Sequence, residues 1–121
     1  MPLFGRVLAK VKRNKKISEK IILRSIMDYF NLVYSKKKNC YCFRASSGRI
    51  KTPAGSMFTT GKPGLPDIVC CIDGKFVGIE VKTKIGRQSK IQKIAQKQIE
   101  NANGEYYLIR SIQEVHKLFP C

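Results

Sequence analysis

The sequence predicts an α/β fold in which helices flank a mixed central β-sheet. Two apolar runs, residues 67–72 and 76–82, are separated by Asp73-Gly74, a dipeptide that favours a two-residue type I′ hairpin turn. A helix-like segment separates the second run from another strand-like run at residues 105–110, which fits a crossover to a parallel strand. With 121 residues, 43% of them hydrophobic, the chain has the size and composition of one globular domain.

The first half of the chain predicts an arm, a helix, a strand and a loop. Residues 1–17 contain basic side chains and no acidic ones, which predicts a loosely ordered basic arm preceding a single domain at residues 18–121. Ser18 is a candidate N-cap for a helix from Glu19 to about Tyr34, in which Ile22, Ile26, Tyr29, Phe30 and Val33 recur at helical spacing. Residues 40–46 predict a strand. Residues 47–66 are rich in Gly, Pro, Ser and Thr and predict a long loop.

The second half predicts two helices around a strand. Ser89 and Gln92 have the spacing of a capping box, which starts a helix that runs to about Ala102. A strand follows at residues 105–110. A second capping box at Ser111 starts a short last helix. The predicted order is therefore α-β-β-β-α-β-α.

The charge balance is extreme. The chain has 24 Lys and Arg against 8 Asp and Glu, a formal net charge of +16. Such a protein attracts polyanions, and nucleic acid is the first candidate. No apolar stretch is long enough to span a bilayer and no signal peptide is visible, so a membrane partner is not expected.

The cysteines give an expectation about the compartment. There are five of them, and Cys70 and Cys71 are adjacent inside an apolar run. This placement suits reduced, buried thiols better than a disulfide. We therefore expect a reducing, intracellular compartment, the cytoplasm.

The hairpin brings acidic residues together. If Asp73 and Gly74 form the turn, Asp67 lies opposite Glu80 on the neighbouring strand. Opposed residues of an antiparallel pair point to the same side with Cβ atoms about 4.5–5.5 Å apart, and Lys82 lies two residues further on that side. Because opposed like charges destabilise a sheet, a divalent cation is the simplest compensating group.

These residue types suit hydrolysis of a phosphodiester. Mg²⁺ (or Mn²⁺) prefers oxygen ligands such as Asp67 and Glu80, and Lys82 could orient the attacking water or stabilise charge on the phosphate. The residues that other catalytic or nucleotide-binding motifs require are not found in this sequence. The only histidine, His116, lies near the C-terminus, so we expect no Ser-His-Asp triad, and a single histidine cannot form a two-histidine zinc site. Residues 61–64, Gly-Lys-Pro-Gly, do not form a Walker A loop.

The order of these motifs resembles a known nuclease family. Pro66-Asp67 followed by Glu80-Val81-Lys82 resembles the PD-(D/E)XK nuclease superfamily, and the surroundings resemble its VRR-NUC branch. That wider resemblance covers residues 18–115. It rests on four features: an arginine strand with a glycine turn (residues 44–48), a glycine-rich segment before the aspartate (61–67), a Ser-x-x-Gln motif (89–92) and a glycine before the next strand (Gly104). The resemblance implies a restriction-endonuclease-like core.

The resemblance also implies roles for individual residues. Lys82 would serve the nucleophilic water, and Gln92 would lie beside the active site, although it is equally explained as a helix cap. A helix glutamate would join the site, although an acid in a first helical turn is also favoured by the helix dipole. The implied metal ligands are Asp67, Glu80, Glu19 and the backbone carbonyl of Val81.

The family includes small phage proteins that resemble dimeric Holliday junction resolvases. We therefore expect a Mg²⁺-dependent homodimer that cuts branched DNA, with the four-way junction as the first candidate substrate. We expect a cytoplasmic location, the host cytoplasm if the protein is phage-encoded. A flap or nicking nuclease of the same fold and a non-catalytic DNA-binding protein remain open. The basic residues expected to contact phosphates are Arg44, Lys62, Lys84, Arg87, Lys36, Lys37 and Lys38.

Overall fold

The computed structural model describes residues 18–45 and 48–121. The predicted basic arm, residues 1–17, lies outside the described residues. The elements, in chain order, are α1 (Glu19–Leu32), a 3₁₀ turn (Tyr34–Lys36), β1 (Cys40–Arg44), β2 (Gly48–Lys51), β3 (Met57–Thr60), β4 (Ile68–Ile72), β5 (Lys75–Val81), α2 (Lys90–Asn101), β6 (Glu105–Ile109) and α3 (Ile112–Leu118).

Four strands form a mixed sheet in the order β1-β4-β5-β6. Strands β1, β4 and β5 are antiparallel neighbours, whereas β6 runs parallel to β5. The connection between the two parallel strands contains α2, as the crossover pattern requires. The predicted α/β class with a mixed sheet flanked by helices is confirmed.

The β4–β5 hairpin has the predicted turn. Asp73 and Gly74 have φ angles of 51° and 81°, and a type I′ turn needs positive φ at both central positions. The ladder pairs Ile72 with Lys75 and Ile68 with Ile79. One further step in this register brings Asp67 opposite Glu80, as predicted.

The predicted loop at residues 47–66 contains two strands. β2 and β3 form an antiparallel hairpin in a separate two-stranded sheet, so the predicted order of elements lacks two strands. The Thr52 amide donates to the Ser56 carbonyl (2.8 Å) and closes the turn between them. Turn residues surround strands of only four residues with little apolar alternation, so the composition indicated a loop.

The hydrophobic core lies between α1, α3 and one face of the mixed sheet. Ser18 caps α1 by accepting the Ile21 amide (3.3 Å). The helix ends at Leu32, two residues earlier than predicted, and Val33 is 44% exposed rather than packed. The core includes Ile22, Ile26, Phe30, Ile68, Cys70, Val77, Ile79, Val81, Ile109, Val115 and Phe119.

The cysteines differ from the expectation. Cys42 and Cys70, directly opposed in the β1–β4 ladder, form a disulfide. The prediction of a reduced Cys70 is therefore wrong, and it no longer supports a reducing compartment. Cys71 is a free thiol, but it is exposed, because successive residues of a strand point to opposite faces.

Within residues 18–45 and 48–121, every helix is too short or too polar to cross a membrane.

Candidate active site

The acidic residues predicted from the hairpin meet on the sheet face that points away from the core. Asp67 immediately precedes β4, and its Oδ2 accepts the Val81 amide of β5 at 2.7 Å. Glu80 lies on β5, and Lys82 follows the strand. Since residues two apart on a strand share a face, Glu80 and Lys82 point to the same side. The hairpin thus assembles the predicted trio.

Glu80 is the most buried member of this group. Its side chain is 3% exposed. Oε1 accepts the Gln92 amide Nε2 at 2.8 Å and lies 3.9 Å from the Lys82 ammonium. Oε2 is buried with no hydrogen-bond partner among the described residues. A buried ionised oxygen without a partner is costly, so this atom needs a proton or a cation.

The pKa of Glu80 reflects this environment. Burial, followed by the negative charge of Asp67, raises the pKa of Glu80 to about 8, and the Lys82 charge opposes the rise only in part. The negative charge of Glu19 also raises it. Glu80 therefore holds a proton at neutral pH when no cation is present.

Gln92 has both predicted roles at once. The Ser89 hydroxyl accepts the backbone N–H of Gln92 (3.2 Å), and the side-chain Oε1 of Gln92 accepts the backbone N–H of Ser89 (2.9 Å). These two bonds complete a capping box at the start of α2. With Oε1 occupied by the cap, Nε2 is directed at Glu80. The cap of α2 therefore orients the carboxylate of β5.

Glu19 lies at the start of α1, close enough for its charge to influence Glu80. It does not complete a ligand cluster, however. Across residues 18–45 and 48–121, no three His, Cys, Asp or Glu side chains converge on one point. The roles of Glu19 and of the Val81 carbonyl as metal ligands remain predictions.

A polar cavity of about 290 Å³ opens over the carboxylates. Arg44 and Ala45, at the end of β1, contribute one wall, and its other lining residues are Gly64, Leu65, Asp67, Glu80 and Gln92. A larger cavity of about 410 Å³ is lined mainly by apolar side chains of α2 and residues 62–66. Its lining includes no carboxylate, so the smaller cavity is the candidate site.

The predicted phosphate contacts differ in their distance from the carboxylates. Arg44 lines the carboxylate cavity, whereas Lys62 lines the apolar one. The others are exposed and line neither cavity: Lys36, Lys37, Lys38, Lys84 and Arg87.

Sequence reasoning missed the residues that hold the segment after Lys82. Arg110 Nη1 donates to the carbonyls of Thr83 (2.6 Å) and Gly86 (2.7 Å). Gln88 donates to the Tyr106 hydroxyl at 3.0 Å. Arg110 follows β6, whose parallel register pairs Val81 with Ile109, and no turn between these strands revealed that register in the sequence.

The residues present fit a divalent cation. Two carboxylates are typical of Mg²⁺ sites that also bind substrate phosphates. The buried Oε2 of Glu80, unpaired in the part of the chain that the structure describes, is an available ligand atom. Comparison of the chain with protein-family models, curated proteins and solved structures finds no match. The assignment therefore depends on the residues and their geometry.

Proposed function

We propose that this protein is a divalent-metal-dependent DNA endonuclease with a restriction-endonuclease-like PD-(D/E)XK core. The main support is a buried carboxylate oxygen of Glu80, beside Asp67 and Lys82, that has no hydrogen-bond partner within residues 18–45 and 48–121. This group lines a polar cavity on a chain with a net charge of +16. A buried glutamate whose pKa is raised, in an otherwise basic protein, suits cation-assisted hydrolysis of a phosphodiester.

In this proposal, different residues bind the metal, position the carboxylates and direct the attacking water. Asp67 and Glu80, with Glu19 and the Val81 carbonyl, would hold Mg²⁺ or Mn²⁺. When bound, the cation would lower the pKa of the attacking water and neutralise charge on the phosphate. The Val81 amide orients Asp67 and Gln92 orients Glu80. The Lys82 ammonium, 3.9 Å from Glu80, is not held in a short ion pair and would direct the water or bind a phosphate oxygen.

The proposed substrate is branched DNA, and the four-way junction is the first candidate among branched structures. Two opposed cuts in a junction suit a twofold homodimer, because its interface sets two active sites symmetrically. Arg44, at the cavity wall, is the basic residue best placed to contact the scissile phosphate. The more distant lysines would position the rest of the DNA. A cytoplasmic location belongs to the same proposal.

Substitution of the site tests the enzymatic claim. Glu80→Gln and Lys82→Ala should each lower Mg²⁺-dependent cleavage by at least about 100-fold while junction binding in EDTA changes little. Glu100→Gln, which removes an exposed carboxylate of α2, is the matched control and should cleave like the wild type. Unchanged cleavage by purified Glu80→Gln protein would reject the endonuclease, and binding without any metal-dependent cleavage would favour a non-catalytic DNA-binding protein.

The preferred DNA structure is tested separately. A fixed four-way junction, a flap and a linear duplex of matched sequence are cleaved under identical conditions. Faster cleavage of the junction supports the resolvase proposal, and faster cleavage of the flap supports the flap nuclease. Equal rates on all three substrates would remove the resolvase proposal.

A further inference from the structure

Two aromatic side chains of β1 lie exposed on the edge of the mixed sheet. Tyr41 is 71% and Phe43 is 47% exposed. They are two residues apart and point to the same side of the strand. Their ring centroids are 6.2 Å apart and the rings are tilted by 56°, so they do not stack face to face on each other. We call this pair the aromatic face.

The aromatic face lies on the same side of the sheet as the carboxylates. Phe43 pairs with Val69, which pairs with Gly78 on β5. The next row on that side contains Asp67, whose carbonyl accepts the Ala45 amide at 2.9 Å. Rows on one face are separated by two residues, or about 6.7 Å along the strand. Phe43 is therefore one row from Asp67, and Tyr41 is two.

Basic residues flank the aromatic face along the chain. Lys36, Lys37 and Lys38 lie just before β1 and Arg44 ends it, and all four are exposed. Along the ladder, Asp67 lies one row from Phe43, and Asp73, in the hairpin turn, lies one row from Tyr41. Exposed aromatic residues on an edge strand invite unwanted strand pairing, so their retention at two alternate positions needs a function. A polyanion with flat apolar groups matches both the charge and the rings.

We propose that the aromatic face stacks unpaired bases of single-stranded DNA next to the carboxylate cavity. Aromatic rings accept any base because every base has a π-face, and basic neighbours bind the backbone. One base on each of Tyr41 and Phe43 would direct the following phosphate towards Asp67. The stacking claim concerns binding alone. Its consequence, that the cleaved bond lies beside unpaired nucleotides, rests on the proposed endonuclease function.

Binding to a labelled oligothymidine and to a matched duplex, in EDTA and at fixed salt, tests the stacking. Tyr41→Leu and Phe43→Leu keep an apolar side chain on β1 but remove the ring. Each should weaken single-strand binding about tenfold and leave duplex binding nearly unchanged. Tyr41→Phe, which keeps the ring, should bind like the wild type.

A charge variant distinguishes stacking from electrostatics. Lys37→Ala should weaken single-strand and duplex binding similarly and reduce the salt dependence of both. The leucine variants should leave the salt dependence unchanged. Equal losses on both DNAs, or no loss on single strands, would overturn the proposal. So would a change of oligomeric state in the leucine variants, since the face would then be an interface between copies of the chain.

The stacking proposal and the endonuclease proposal can fail independently. The binding assay contains no metal. Weaker single-strand binding by the leucine variants would therefore support stacking even if Glu80→Gln protein still cleaved DNA. If the endonuclease is correct, the leucine variants should lose cleavage of substrates with unpaired nucleotides more than that of a duplex. Photo-crosslinking of a halogenated uracil to Tyr41 or Phe43, mapped by mass spectrometry, checks the contact in the unmodified protein.

Discussion

At the scale of single residues, Glu80 couples protonation to folding. The folded protein keeps a proton on Glu80 up to about pH 8, whereas an ordinary glutamate releases it near 4.5. Between these values the folded state binds more protons than the unfolded chain, so the free energy of unfolding decreases as pH rises. The slope is at most about 1.4 kcal/mol per pH unit.

Chemical denaturation of wild-type and Glu80→Gln protein in EDTA checks this prediction. The difference between their unfolding free energies should change from about pH 5 to about pH 8, with the wild type losing stability relative to the variant. A difference that stays constant over this range would mean that Glu80 titrates normally.

Gln92 serves the helix cap and the carboxylate, and two substitutions separate these roles. Ser89→Ala removes the capping hydroxyl and should cost about 1 kcal/mol of stability, while the Gln92 side chain keeps its contacts with the backbone of residue 89 and with Glu80. Gln92→Ala removes both contacts, so it should also alter the pH dependence that Glu80 produces. Thermal denaturation at several pH values measures both effects. Identical pH profiles for the two variants would contradict the assigned contact.

At the scale of elements, the Cys42–Cys70 disulfide fastens the edge strand β1 to β4. It links residues 28 apart and encloses the β2–β3 hairpin. On a loop-entropy argument, a loop of this length contributes about 3–4 kcal/mol. Reductant should therefore lower the denaturation midpoint of the oxidised wild type, and a Cys70→Ala variant should not respond to it. Equal responses by both proteins would place the redox effect elsewhere.

Elements with a strong local signal could be predicted from the sequence. Asp73-Gly74 specifies the turn and thereby the register that opposes Asp67 and Glu80, and Ser89 with Gln92 specifies the start of α2. The β2–β3 hairpin had no such signal, since its strands are short and weakly apolar. The Arg110 contacts and the disulfide depend on pairings between distant segments, which local patterns do not reveal.

At the scale of the whole molecule, the net charge of +16 predicts salt-dependent DNA binding. Each phosphate neutralised in duplex DNA should add about −0.9 to the slope of log K against log salt, and single strands about −0.7. Titrations at several salt concentrations measure this slope for each DNA. A flat response would show that the basic side chains serve a purpose other than binding nucleic acid.

The shared hydrogen bonds of Gln92 have a consequence for spectroscopy. Its amide bonds to Ser89 at one end and to Glu80 at the other, so ion capture at the carboxylate should disturb the opening turn of α2. The backbone nitrogen resonance of Ser89 is then an internal reporter of ligation. In an NMR titration with the metal ion and without DNA, this resonance would report how much of the site is occupied.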